Sequence, residues 1–424
     1  MGLRILLASR IYLPEAGAAA YRLAATVRAL TAAGHEVTVL TTRPPRGLRA
    51  AGGAAAGAGA AASEGAAASA SEEATAGVCA PAGGGAPAGD GARILRWPVL
   101  RDASGAVRGY LQYASFDIPL FFRLLAQKPF DLLLVEPPPT TGVVVRLAAA
   151  LRRRPYVYFS ADVSSDAAAG IGVDPRVVAV LRAVERWVIT GASGVLSIST
   201  GVTLALARLT SGRAKVAEVG TGIDTDTFSL AGPADPHPGP TFVYAGTMSE
   251  IQGAGVFVDG FLKILDRYPD ARLLMYGGGV ELEELRRRAA PAGERIRFMG
   301  TADGGTIARA LRTATAGLAS VRPARGYDFA FATKAFVSLS CGAPVVYAGV
   351  GPLRQLVADH RLGQSVDWDA GQAAEAMATA LEQPVSDAER RRLSEWVERN
   401  YSLRSVGNRA ATAIADAAAA FRLR

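Results

Sequence analysis

Arg4-Ile-Leu-Leu-Ala-Ser9, Ala20-Tyr-Arg-Leu-Ala-Ala-Thr-Val-Arg-Ala-Leu30 and Glu36-Val-Thr-Val-Leu-Thr41 follow one another closely, with Gly34 between the second and the third. The outer two are short apolar runs and read as strands. The middle one repeats its apolar residues at helical spacing and is stopped by the glycine. A strand, a crossover helix and a second strand make a βαβ unit with parallel strands.

The same alternation continues along the chain. Asp131-Leu-Leu-Leu-Val-Glu136, Tyr156-Val-Tyr-Phe159 and Gly194-Val-Leu-Ser-Ile198 are nearly continuous apolar runs, as strands covered on both faces should be. A second series opens at Thr241-Phe-Val-Tyr-Ala-Gly246 and runs through Ala271–Tyr276, Ile296–Met299, Ala316–Ser320 and Pro344–Tyr347, with helical segments between them. Between the series lies Ala231-Gly-Pro-Ala-Asp-Pro-His-Pro-Gly-Pro240, whose prolines stop regular structure and mark a linker. The fold class is therefore α/β: two doubly wound parallel-sheet domains with a cleft between them. Ligands of such sheets bind beyond the carboxyl ends of the strands.

Length and composition agree. The chain has 424 residues, 50% of them hydrophobic, enough for two cores. Its net charge of +8 favours phosphate-bearing small molecules, nucleic acid or an anionic membrane. Much of the excess is arginine in triplets, Arg152–Arg154, Arg286–Arg288 and Arg390–Arg392, which read first as solvated helix faces. The two cysteines, Cys79 and Cys341, form neither a disulfide framework nor a zinc spacing, and a reducing cytoplasm fits them. The apolar run at the start is too short for a signal peptide, and no apolar stretch reaches bilayer length, so the expectation is a soluble or peripheral protein. Residues 46–92 break the pattern: almost entirely Ala, Gly and Ser, they offer little to bury and read as a disordered insertion without site residues.

One lysine stands out in Phe329-Ala-Phe-Ala-Thr-Lys334-Ala-Phe-Val-Ser-Leu-Ser-Cys341-Gly342-Ala-Pro-Val-Val-Tyr347. It opens a helix, so the side chain and the helix N-terminus offer positive potential to one small volume, which suits a nucleotide diphosphate.

Four patterns in order now carry a resemblance: Tyr12-Leu-Pro14-Glu15-Ala-Gly17-Ala-Ala-Ala20-Tyr-Arg22, Gly34-His-Glu-Val-Thr-Val-Leu-Thr41, Val219-Gly-Thr-Gly222-Ile-Asp224-Thr-Asp-Thr-Phe228, and the Lys334–Tyr347 segment. Together they resemble the retaining GT-B glycosyltransferases of the GT4 type. The resemblance implies two Rossmann-like domains facing a central cleft: residues 1–225 with 405–424 for the acceptor, a 226–240 linker, and 241–404 for a UDP-, GDP- or dTDP-sugar. It implies a final helix that crosses back to the N-terminal domain. It also implies no cofactor and no metal, so that protein cations and helix N-termini neutralise the leaving diphosphate.

Carried over residue by residue, the resemblance implies donor contacts from Gly17, Gly246, Thr247, Ser249, Gln252, Asp328, Thr333 and Lys334. Asp162 and Lys334 would serve catalysis, and Glu136 and Asp166 the acceptor. Gln252 stands where relatives commonly carry a lysine. The family's two glutamates would fall at 329 and 337, where this chain has Phe329 and Val337, and Asp328 adjoins the first of these positions. A helix N-cap is the alternative role for Asp162 and Asp166. His35 reads as structural, and neither His237 nor His360 follows a strand in a site-like setting.

The expected partners are a nucleotide-sugar and a small-molecule or lipid-linked acceptor, with no nucleic acid and with peripheral contact to the cytoplasmic face of a membrane. Two rival readings are a catalytically silent GT-B partner and a dinucleotide oxidoreductase built on Gly277-Gly-Gly279, which lacks the full G-x-G-x-x-G.

Overall fold

In a computed structural model, residues 2–15, 17–45, 91–102, 105–107, 109–170, 172–323 and 331–423 are described. Nearly all of the 46–92 insertion, together with Cys79, Asp328 and Phe329, lies outside them.

The first domain runs β1 (Arg4–Ala8), α1 (Ala18–Ala32), β2 (Glu36–Thr42), β3 (Arg93–Trp97), α2 (Tyr110–Ala126), β4 (Leu132–Val135), α3 (Pro139–Arg152), β5 (Tyr156–Ser160), α4 (Ser164–Gly170), α5 (Pro175–Gly191), β6 (Gly194–Ser197), α6 (Thr200–Thr210) and β7 (Val216–Glu218). The second runs β8 (Thr241–Ala245), α7 (Gly255–Ile264), β9 (Arg272–Tyr276), α8 (Leu282–Ala289), β10 (Ile296–Gly300), α9 (Gly304–Arg312), β11 (Ala316–Val321), α10 (Lys334–Ser340), β12 (Val345–Gly349), α11 (Pro352–Asp359), β13 (Gly363–Val366), α12 (Ala370–Glu382) and α13 (Asp387–Tyr401). The last helix, α14 (Leu403–Arg422), follows directly.

The strand orders are β3-β2-β1-β4-β5-β6-β7 and β10-β9-β8-β11-β12-β13, and every pairing is parallel. Each sheet reverses direction beside its first strand, between β1 and β4 and between β8 and β11, and so opens a crevice at that point.

Alternation along β1 shows how both faces are filled. Ile5 and Leu7 pack with α1 and α14, whereas Leu6 and Ala8 face the core under α2, α3, α5 and α6. In the second domain Val243 and Ala245 face α9, α10, α11 and α13, and Phe242 and Tyr244 face α7, α8 and α12.

α14 crosses back to the first domain. Its Val406, Ala410, Ile414 and Ala418 are buried in the α1 core, and Arg409 donates through Nε to the Val219 carbonyl at 2.9 Å. Gly407 lets the two helices touch, because a Cβ there would lie 2.5 Å from the Ala25 carbonyl oxygen. Gly407→Ala should therefore cost about 1–3 kcal/mol in denaturant unfolding, the usual penalty for overpacking.

The crossing itself is narrow. Ile223 N donates to the Tyr401 carbonyl and Leu403 N to the Ile223 carbonyl, each at 2.8 Å. By Phe228, fully buried, the chain has already entered the second core. The proline-rich 231–240 segment is irregular, but it is fastened to that domain: Arg312 donates to the carbonyls of Ser229 (2.8 Å) and Pro233 (2.6 Å).

Candidate functional site

The carboxyl end of β8 continues into Gly246, Thr247, Met248 and Ser249. Gly246 N donates to the Tyr276 carbonyl at 3.0 Å and Met248 N to the Gly278 carbonyl at 2.8 Å, which locks this loop to the glycines after β9. Gly277 takes φ +121°, and a Cβ on it would lie 2.0 Å from the Gly246 carbonyl oxygen. A Cβ on Gly279 would likewise lie 2.3 Å from the Met248 carbonyl oxygen, so backbone packing accounts for Gly277 and Gly279.

Against this loop lies the Lys334 side chain, only 4% exposed. Its Nζ donates to Gln252 Oε1 and, at 3.2 Å, to Tyr244 Oη, and it sits 4.9 Å from the Tyr244 ring centroid. Tyr244 in turn donates its hydroxyl to the Thr247 carbonyl at 2.7 Å, so its lone pairs face the ammonium. Gly246 makes the room, since a Cβ there would meet Lys334 Cε at 2.6 Å.

Among the described residues no carboxylate pairs with Lys334. Desolvation brings its pKa down to about 7. The Gln252 amide oxygen thus accepts from the ammonium that α10 supplies. Burial and the negative charge of Glu281 push the Tyr244 phenol far up, so it stays neutral.

Gln252 is itself buried and braced. Its carbonyl accepts from Ser320 Oγ at 2.6 Å, and the next carbonyl, of Gly253, accepts from Trp368 Nε1 at 2.9 Å. Arg322 leaves the end of β11, stacks 4.7 Å over the Trp368 ring and reaches within 4.0 Å of Glu281. Thr333 precedes α10 in helical conformation and does not cap it with its side chain. Val337, at the position of the family's second glutamate, is fully buried in the apolar core under α10.

In the first domain, Gly17 begins α1 with extended backbone (φ 172°), a conformation open to any residue. What matters is the space above it. A Cβ on Gly17 would meet nothing within 4 Å, among the described residues no side chain caps the helix, and its first turn has no acid. Ala18 and Tyr21 also line a small pocket with Thr221, Gly222, Ile223, Asp224 and Leu403 at the crossing.

Glu136, just beyond β4, is buried; it accepts from Ser9 Oγ at 3.1 Å and pairs with the buried Arg22 at 3.4 Å. This arrangement fixes the loop after β1 from below. Asp162 follows β5, where its carbonyl accepts from Ser160 Oγ at 2.6 Å. Asp166 lies on α4, half-exposed, paired with Arg182 at 3.1 Å. Glu185 of α5 caps α4, accepting from Ser164 N (2.8 Å) and Ser165 N (3.0 Å).

The histidines stand apart from these loops. Leu3 N donates to His35 Nδ1 at 3.0 Å, His237 bonds the Ala310 carbonyl at 2.9 Å, and His360 leans on Trp396. Among the described residues no group of His, Cys, Asp and Glu is placed to hold a metal, and no helix is long and apolar enough to cross a membrane.

Tyr244, Glu185 and Glu281 were not singled out from sequence. Tyr244 lies inside an apolar strand run, and nothing local distinguishes it from a core tyrosine.

Two parallel-sheet domains, each with its crevice at the carboxyl ends, and a last helix returning to the first domain define the GT-B fold. Solved structures agree. Sucrose-phosphate synthase from Thermosynechococcus elongatus is 18% identical with TM-score 0.63, covering 96% of each chain. Anabaena HepE, in complex with UDP and glucose, is 14% identical with TM-score 0.62, covering 98% of this chain and 100% of that one. The model for "Glycosyl transferase 4-like domain" matches residues 17–222, and that for "Glycosyl transferases group 1" matches 239–386. The chain belongs to the GT4-type glycosyltransferases. A phosphatidyl-myo-inositol mannosyltransferase of Mycobacterium tuberculosis is 29% identical over 176 residues, 40% of this chain and 45% of that protein. The chain thus spans less than half the length of the curated relatives it matches.

Proposed function

We propose that this protein transfers a sugar from a nucleotide-sugar to an acceptor hydroxyl, with retention of configuration and without a metal or other cofactor. The observation that carries this reading is the buried Lys334 ammonium, held by neutral partners at the switch point of the second sheet. A cation that no carboxylate among the described residues pairs is poised for an anion that arrives with the substrate. The diphosphate is that anion. It would lie along Gly246, Thr247, Ser249 and Gln252, with Thr333 beside Lys334 and with the uncapped N-terminus of α1 at Gly17 opposite. Asp328 belongs to the same proposed set.

As the bond from the anomeric carbon to the phosphate oxygen breaks, negative charge grows on that oxygen, and Lys334 stabilises it. The acceptor oxygen attacks on the same face and passes its proton to the departing phosphate, so no carboxylate nucleophile is needed. Asp162, at the end of β5, would orient the sugar or the acceptor. Glu136 would act through the β1 loop it braces, and Asp166 would lie at the rim. The donor resembles the UDP compounds found with HepE, and the names of the relatives point to an inositol-bearing or lipid-linked acceptor.

Thermal shift against a panel of nucleotide-sugars tests the donor. At a concentration a hundred times its dissociation constant, the true donor should stabilise the fold by about 2.7 kcal/mol and raise Tm by roughly 5 °C or more. If no UDP-, GDP- or dTDP-sugar and no free nucleotide moves Tm, the protein is a silent GT-B partner and the enzyme reading fails.

A further inference from the structure

The Leu13-Pro-Glu15 stretch between β1 and α1 is held from the edge of the first sheet. Arg101, in the loop after β3, donates through Nη1 to Glu15 Oε2 and through Nη2 to Glu15 Oε1, each at 2.9 Å. Its guanidinium also donates to the carbonyls of Gly105 and Arg43, each at 2.7 Å, and to Thr42 Oγ1 at 3.1 Å. Thr42 passes the bond on, donating to the Arg10 carbonyl at 2.8 Å. From β3 itself, Arg96 donates to the carbonyls of Leu13 and, at 3.1 Å, Thr42. The end of β2, the loop after β3 and the β1–α1 loop therefore meet at one guanidinium.

The clamp is specific in shape. The Arg101 and Glu15 side chains are only 14% and 13% exposed, and their two parallel bonds match the planar fork of a guanidinium. A pair so far removed from water contributes little net stability, because desolvation offsets most of its attraction. What it supplies is position. Glu15 stands two residues before Gly17, so their Cα atoms lie within about 7 Å of each other. Glu15 N donates to the Tyr12 carbonyl at 3.2 Å, and Tyr12 is fully buried, so the turn is pinned at both ends.

We propose that Arg101 is a positioning residue for sugar transfer: through Glu15 it holds the open start of α1 at Gly17 against the donor phosphate. The inference rests on the donor reading given above. Lys334 and the β8 loop meet the donor from the other domain, so loss of the clamp should slow turnover far more than it weakens donor binding.

Arg101→Lys keeps the charge but gathers its donors on one nitrogen, which cannot span both Glu15 oxygens. Measured per folded molecule, kcat should fall by about 10²-fold, while donor KM stays within about threefold and the donor-induced thermal shift is retained. Glu15→Gln keeps the shape with one acceptor oxygen fewer and should lower kcat by about tenfold. Gly17→Val suits the extended backbone and the open space, yet sets a branched side chain where the phosphate would approach. Combined with Arg101→Lys, it should slow transfer by less than the product of the two single losses, because both act through the same end of α1. A kcat within about threefold of wild type in folded Arg101→Lys, or losses that multiply fully in the double variant, would overturn the inference. Should Arg101→Lys fail to fold, an unchanged kcat in Glu15→Gln overturns it equally. A wild-type protein whose Tm no nucleotide-sugar moves would instead sink the donor reading, and this inference with it.

Discussion

Lys334→Met is expected to lower sugar transfer by about 10²–10³-fold, the loss typical of removing one preorganised group that stabilises developing charge. Its effect on stability should run the other way. An ammonium that burial holds near pKa 7 is a cost to the folded state, because the unfolded chain keeps the proton up to the ordinary lysine value near 10.4. Between those limits the unfolded state binds more protons, so wild-type stability should rise with pH by at most about 1.4 kcal/mol per unit.

Methionine keeps most of the side-chain volume and removes the charge. The variant's Tm at pH 6 should therefore match or exceed the wild type's, and the advantage should fade toward pH 10. Differential scanning calorimetry across pH, beside initial rates of transfer, reads both effects. A rate within about threefold of wild type would remove Lys334 from the mechanism, whereas loss of rate together with a lower Tm at pH 6 would make it merely structural.

The second large effect is on nucleotide affinity. A diphosphate prefers the charged lysine, so binding should raise the Lys334 pKa and draw a proton from solution. Affinity for UDP should be greatest at or below pH 7 and should weaken above it by up to about tenfold per pH unit, until the pKa of the bound state is passed. The range from pH 7 to 9 is informative because a terminal phosphate, with its second pKa near 6, is already ionised there. Calorimetric titration in buffers of different ionisation enthalpy would count the proton directly. A flat affinity from pH 7 to 9 would mean that the ammonium does not meet the diphosphate, and the slope should vanish in Lys334→Met.

The central strands of both sheets were legible because they are buried on two faces and must be almost wholly apolar. β3 (Arg-Ile-Leu-Arg-Trp), β7 (Val-Ala-Glu) and β13 (Gly-Gln-Ser-Val) were not found, and all three are sheet edges. An edge strand has one neighbour and a partly wet surface, so its composition carries no continuous apolar signal. Lys334 was legible through its place at a helix start. Its partners were not, because Tyr244 and Gln252 reach it only through the tertiary fold. The cap on α4 shows the same limit: sequence pointed to local aspartates, and the structure uses a glutamate from the next helix. The contacts of Ile223 with Tyr401 and Leu403 were not legible either, because the two segments lie far apart in the chain and meet only in the fold.

The return of α14 sets an order of events during synthesis. The first domain emerges first, yet the face of α1 that carries Leu23 and Val27 stays uncovered until Val406, Ala410 and Ile414 have left the ribosome. At about 5–20 residues per second, that interval lasts on the order of 20–80 seconds. The second domain, continuous from Phe228 to Tyr401, can close its own core before the first domain is finished. The domain begun first is therefore completed last, and a nascent chain halted short of α14 would present a ready apolar groove to chaperones.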